Sequence, residues 1–186
     1  MEILDIVDEL GYPTGKTIER KKAHELGIRH RTSHVWILRK KNGRIQILLQ
    51  KRSEDKDSFP GFYDISSAGH IPAGVDYYSS AIRELNEELG IQVKAEELID
   101  CGNRSFRFEN VFHGRVFKDN QVSKIFILWK DLAESEFHFI DHEVSVVKWF
   151  DLEECYQGVK NNTFHHCIYL EELDMIIKEI KNFKAD

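Results

Sequence analysis

Apolar and polar positions alternate over Glu2 to Val7, as in a strand with one face buried. Gly11, Pro13 and Gly15 predict a turn after it. Ser33 to Arg39, reading SHVWILR, predicts a second strand, and Lys41-Asn42-Gly43 a turn. Arg44 to Lys51 then alternates with Ile45, Ile47 and Leu49 inward, so the two strands are expected to form a hairpin. Past a loop with Pro60 and Gly61 the period changes. Tyr78, Ala81, Ile82, Leu85 and Leu89 fall on one stripe of a helix predicted over Tyr77 to Leu89, with Gly90 as its stop.

Further strands are predicted at about Leu98 to Phe108, Val111 to Phe117, Lys124 to Trp129 and Val144 to Phe150. A closing helix is predicted from about His166 to Phe183, its apolar side carrying Ile168, Leu170, Leu173, Ile176, Ile177 and Ile180. Strands, one central helix, more strands and a terminal helix predict an α/β sandwich with a mixed sheet between helices. Periodicity leaves the pairing order open. One domain over 1–186 is expected, with 1–30 as N-terminal strand and lead-in and 166–186 as the C-terminal helix.

Composition narrows the function. The chain carries 41% hydrophobic and 31% charged residues, an ordinary globular balance. A net charge of -6 weighs against a nucleic-acid binder, which needs a basic surface. A small anionic substrate stays open, because a bound cation reverses the local field. Cys101, Cys155 and Cys167 are widely spaced and odd in number, and are expected to be free thiols. The acidic start MEILDIVDEL and the lack of a long apolar run predict a cytoplasmic chain with no membrane partner.

The chemistry concentrates in Gly69-His70-Ile71-Pro72-Ala73-Gly74-Val75-Asp76 and the helix after it. At about 100° per residue, Glu84, Glu87 and Glu88 project within an arc of roughly 100°, beside the apolar stripe. Like charges at this spacing repel by a few tenths of a kcal/mol per pair. Arg83 offsets part of this by reaching Glu87 one turn on. Hard oxygen ligands of this kind favour Mg2+ or Mn2+. Three glutamates alone read better as the solvated acidic face of an amphipathic helix. The glycine-bearing loop and Arg83 turn the reading toward a cation site.

In this stretch the chain resembles the Nudix hydrolases, whose box reads G-x5-E-x7-R-E-U-x-E-E-x-G-U with U bulky and aliphatic. Gly69, Arg83, Glu84, Leu85, Glu87, Glu88, Gly90 and Ile91 match in register. Val75 stands where the box has its first glutamate, which in the family helps fix the loop against the helix; Asp76 is then a candidate helix cap. The resemblance implies a Nudix-type α/β/α sandwich. It also implies divalent metal on Glu84, Glu87, Glu88 and the Gly69 carbonyl, with Arg83 orienting Glu87. The implied reaction is hydrolysis of a phosphoanhydride in a small-molecule diphosphate, a nucleoside diphosphate or one linked to another group. The proposed catalytic set is Glu84, Glu87 and Arg83, with Glu143, in Asp141-His142-Glu143, as candidate base. Lys51, Arg52 and His70 are candidate substrate contacts. A monomer or homodimer fits equally.

Outside the box the similarity extends over about residues 1–160 and includes type I isopentenyl diphosphate isomerase. Pro13-Thr14-Gly15, Ala23-His24, His30, Phe59-Pro60-Gly61 and Ser66 to His70 carry it. In the isomerase, histidines matching His24, His30 and His70 bind a divalent metal. Its catalytic cysteine is here Ala68, and its glutamate in an Asn-Glu-Val context is here Gln121. Allylic isomerisation adds a proton at one carbon and removes one at another. Ala68 transfers no proton and Gln121 is a far poorer acid or base than a carboxylate, so hydrolysis is expected, with an isomerase-like enzyme or, on Val75, a catalytically weak Nudix-fold nucleotide-binding module as the alternatives. The histidines are then a second metal site, a pocket lining or structural groups.

Overall fold

The computed structural model describes residues 1–56, 58–140 and 142–182. Asp141 and Phe183, named above for a loop and a helix end, lie outside them.

The long strand β3 (His30–Lys41) organises the sheet. Its side chains part to two faces with period two: Val35 and Ile37 to one core, Trp36 and Leu38 to the other. It runs parallel to β8 (Arg115–Trp129), with His30 opposite Gln121 and His34 opposite Ile125. On its other edge β3 pairs antiparallel with two strands in turn. Its first half takes β6 (Ser67–His70) and its second half β4 (Arg44–Arg52). The strands β5 (Tyr63–Asp64) and β9 (Val144–Asp151) pair with β4, and β7 (Leu98–Phe112) lies outside β8. The sheet is therefore mixed, as predicted. A separate ribbon joins β1 (Ile3–Val7) to β2 (Pro13–Glu19).

Helices cover both faces. α2 (Tyr77–Leu89) buries Ala81, Leu85 and Leu89 against Val35, Ile37, Leu48 and Phe126. Each fully buried leucine contributes about 1.5–3 kcal/mol of transfer free energy. On the opposite face, α3 (Leu152–Lys160) and α4 (Leu170–Asn182) bury Cys155, Val159, Leu173, Ile176 and Ile180 against Trp36, Leu38 and Ile125. α1 (Arg20–Leu26) is a short helix between β2 and β3. The three cysteines are free thiols. No helix among the described residues is long and apolar enough to cross a membrane.

Three predicted elements differ, and the helices α1 and α3 carry no prediction. Val111 to Phe117 is no separate strand: His113 and Gly114, both at positive φ, form the two-residue turn of one long hairpin that Phe112 and Arg115 close. Pro13 and Gly15 lie within β2 and only Gly11 in the turn, where its amide bonds Asp8 O at 3.2 Å. α1 and α3 are too short for a clear stripe. The last helix begins at Leu170, because residues before it pair with β5: Tyr63 N donates to His165 O and Cys167 N to Tyr63 O.

Candidate functional site

α2 is fixed at both ends. Asp76 caps it, accepting from Ser79 N at 2.9 Å and from the Ser79 hydroxyl at 2.6 Å. Gly90 ends it at φ +69, with its amide on Asn86 O; a Cβ there would meet His138 O at 2.7 Å. Between these ends Glu84 and Glu88 face β6, while Glu87 lies more exposed and pairs with Arg83. Glu84 is pressed on Gly69 so closely that a Cβ on that glycine would sit 2.0 Å from the Glu84 carboxyl carbon. Gly69 is therefore required by approach, bringing its backbone beside the helix carboxylates.

Arg83 forks between two of them, with Nη2 at 2.5 Å from Glu84 Oε1 and Nη1 at 2.5 Å from Glu87 Oε2. A third bond, 3.3 Å to His70 O, ties the helix to β6. The predicted Arg83–Glu87 pair is present, and Glu84 shares it.

The carboxylates differ in depth. Glu87 is 43% exposed, while Glu88 is 2% exposed, inside the fold rather than at its edge. Glu88 accepts from Ala68 N at 3.1 Å and, more distantly, from Gln50 Nε2. Burial pushes its carboxyl up to about 8, and burial pushes Glu84 up to about 7 against the opposing pull of Arg83. Half-buried Glu84, bonded to Arg83, and fully buried Glu88 one turn on form a donor set that fits a hard divalent cation.

On the other face of β6 the chemistry changes. Gly69 turns toward Glu84, and His70 turns toward His24 of α1 and His30 at the start of β3. Their ligand-capable atoms lie within 4.8 Å of one another. His24 Nε2 is 3.0 Å from His70 Nε2, and the His24 ring stacks on Phe117 with centroids 4.5 Å apart. Asp119 Oδ1 lies 3.6 Å from His30 Nε2 and 3.8 Å from His24 Nδ1. Those Asp119 and His30 atoms are buried without a hydrogen-bond partner. Burial lowers His24 to about 3 and His30 to about 4, and holds His70 well below its usual value. Neutral imidazoles beside an orphaned carboxylate oxygen are a donor set that fits a second cation.

The remaining predicted residues are placed less simply. Ala68 lies opposite His34 in the β3–β6 register. Gln121 is locked by a 2.6 Å bond from its Nε2 to Asp119 Oδ2 and by Thr32. The Arg52 guanidinium pairs with Asp64 at 2.8 Å and donates to Ser58 O at 3.0 Å, so a phosphate contact there competes with these partners. Lys51 is half-buried, opposite Tyr63 on β5. Glu143 forms a close ion pair with Lys56; burial would raise its carboxyl, but the ammonium overrides that and holds it low.

Sequence reasoning missed Lys56 and a buried polar group between α4 and β3. There, buried Glu172 of α4 accepts from Trp36 Nε1 at 3.2 Å and from Arg104 at 3.3 Å, with His34 Nδ1 3.0 Å away. Glu172 sits on a helix that reads as plain amphipathic, so local spacing carried no signal. Phe59, Phe62, Phe106, Phe108 and Phe112 form one half-buried chain of ring contacts.

Comparison with known proteins gives the family and the fold. The NUDIX domain model matches residues 28–169. An uncharacterized Nudix hydrolase of Clostridium acetobutylicum is 37% identical over 149 residues, covering 79% of this chain and 69% of that protein. Nudix hydrolase 3 of Arabidopsis thaliana is 38% identical over 157 residues, 82% of this chain; the chain spans only 20% of that longer protein. Isopentenyl-diphosphate Delta-isomerase of Escherichia coli is 28% identical over 155 residues, 83% of this chain and 79% of that protein, in keeping with the predicted branch. The crystal structure of DR0079 from Deinococcus radiodurans superposes with a TM-score of 0.70 at 19% identity, covering 93% of this chain and 98% of that one. With the α/β/α sandwich, the box helix and these relatives in agreement, the chain belongs to the Nudix hydrolase family.

Proposed function

We propose that this chain hydrolyses a phosphoanhydride bond in a nucleoside diphosphate, or in a nucleoside diphosphate linked to another group. Mg2+ or Mn2+ is held by Glu84, Glu87, Glu88 and the Gly69 carbonyl. The observation that carries the reading is the packing of Glu84 on Gly69 with Arg83 forked between Glu84 and Glu87. When bound, the cation neutralises phosphate charge, lowers the pKa of attacking water and aligns it with the leaving group.

The chain's own groups do the rest. Arg83 fixes two carboxylates in one geometry, so little ordering remains when the cation arrives. Glu88, held by Ala68 N inside the fold, keeps bulk water from the deep side. Lys56 lies near enough to Glu88 to favour its carboxylate and, with Lys51, is a candidate phosphate contact; His70 is a candidate substrate contact from the histidine side of β6. As Lys56 turns to a phosphate, the Glu143 carboxylate regains basicity and takes the proton from the attacking water. Arg52 braces the loop through Asp64 and Ser58 and reaches phosphate only by exchanging those partners.

The test is a panel: nucleoside diphosphates, their conjugates, dinucleotides and isopentenyl diphosphate, with Mg2+ or Mn2+. Release of nucleoside monophosphate or phosphate, lost in Glu87→Gln, is the expected result. Tight nucleotide binding with no release from any compound would overturn hydrolysis. Conversion of isopentenyl diphosphate to its allylic isomer would restore the isomerase reading despite Ala68 and Gln121.

A further inference from the structure

The loop joining Gly69 to α2 carries Val75 where an acidic side chain would tie it down, yet the loop is tied from elsewhere. Asp5 of β1 and Arg31 of β3 meet over it, with Arg31 Nη2 at 2.8 Å from Asp5 Oδ2. The same Nη2 donates to Val75 O at 2.9 Å, and Asp5 Oδ2 also accepts from Gly74 N at 2.9 Å. Both side chains are about nine-tenths buried, at 8% and 11% exposure. Backbone bonds complete the seam: Ala73 N to Ile3 O at 2.8 Å and Ile71 N to Arg31 O at 3.1 Å. Leu4 bridges Pro72. The Arg31 guanidinium also lies over the Tyr77 ring, at 5.3 Å, in the first turn of α2.

We propose that Asp5 and Arg31 are positioning residues that lock residues 71–75, and so fix the distance between the Gly69 backbone and the α2 glutamates. The loop is short and its two ends carry opposite halves of the cation site. Any slack in it becomes slack between Gly69 and Glu84. A charge-assisted pair that holds both an amide and a carbonyl of the loop removes that slack. Asp5 lies 70 residues upstream of Val75 in sequence, so the anchor is visible only after folding.

The experiment compares the parent with Asp5→Asn, with Asp5→Ala/Arg31→Met, which removes both buried charges together and so keeps the fold, and with Asp5→Asn/Val75→Glu. The first readout is amide hydrogen exchange at Gly74, Ser79 and Ser80, relative to amides of β8. It is expected to rise about tenfold or more in the first two variants. The second readout is Mn2+ binding to the protein alone, expected to weaken about tenfold or more. Part of both losses is expected to return with Val75→Glu, which a merely structural destabilisation would not give. The second readout rests on the cation role proposed above. A parent that binds no Mn2+ overturns that role, while exchange still decides the clamp. Local exchange at parental rates in folded variants overturns the clamp.

Discussion

The two sides of β6 hold opposite solutions to one problem. On one side α2 presses Glu84 on Gly69 and bonds Glu88 to Ala68 N; on the other, His24, His30 and His70 arrive from three elements and meet Asp119. Burial drives both groups toward neutrality. It lifts Glu84 and Glu88 to about 7 and about 8, and drops His24 and His30 to about 3 and about 4. Glu84 and Glu88 must therefore lose protons to bind a cation at neutral pH, whereas the imidazoles of His24 and His30 are already deprotonated. The carboxylate side suits hard Mg2+, and the imidazole side a borderline cation.

Activity is the widest separation. Glu87→Gln is expected to lower turnover by about 1000-fold or more, the scale of several kcal/mol of cation-borne stabilisation. His30→Ala is expected to cost about 10–100-fold, the scale seen when groups outside the reacting set are lost. Steady-state kinetics on whichever panel substrate is turned over would decide. An equal loss for both would end the distinction and make the histidines part of the reacting centre.

The pH dependence of stability separates the two sides by sign. For metal-free protein, Glu88 has a folded pKa near 8 against an ordinary 4.5, so the native state binds more protons than the unfolded state between those values. Stability therefore falls as pH rises through that window, with a slope of up to about 1.4 kcal/mol per pH unit. His24 and His30 have folded values near 3 and 4 against 6.5, so the unfolded state binds more protons below 6.5. Stability falls there as pH drops. Glu88→Gln is expected to flatten the alkaline limb, and His24→Phe the acid limb. Urea titrations from pH 5 to 9 in chelator would show it. Matching slopes in parent and Glu88→Gln would mean that Glu88 is solvated in solution.

The same contrast explains what the sequence made legible. Gly69, Arg83, Glu84, Glu87, Glu88 and Gly90 lie within 22 residues, so helical spacing alone put the carboxylates on one arc. The mixed sheet and α2 followed from period-two and helical stripes. His24, His30, His70 and Asp119 are spread over 96 residues, and only the parallel β3–β8 register and the fold of α1 bring them together. Local pattern had no access to that, nor to Glu172 beneath His34 or Asp5 beneath Val75. Long-range pairing also decided the misplaced strand. Val111 to Phe117 is apolar enough to read as extended, but the ladder from Leu98 to Phe112 turns back at His113-Gly114.

Helix ends give the smallest and sharpest contrast. α2 is held by the Asp76 carboxylate on Ser79 N and its hydroxyl, whereas α1, which carries His24, begins at Glu19 with no side-chain cap. Asp76→Ala is expected to cost about 1 kcal/mol, and Glu19→Ala a few tenths at most. The Asp76 cap is ionised over most of the accessible range, since its bonds to Ser79 hold its carboxyl below the ordinary value. Its contribution is present above pH 3.8, the unfolded value, and is lost as pH falls through the lower folded one. Denaturant midpoints for the two variants at pH 7 would check the pair. Equal losses would show that α1 draws on an end contact as strong as that of α2. A loss confined to Asp76→Ala would show that the carboxylate helix is pinned by its own cap, and that the histidine helix is held by contacts other than its N-terminal residue.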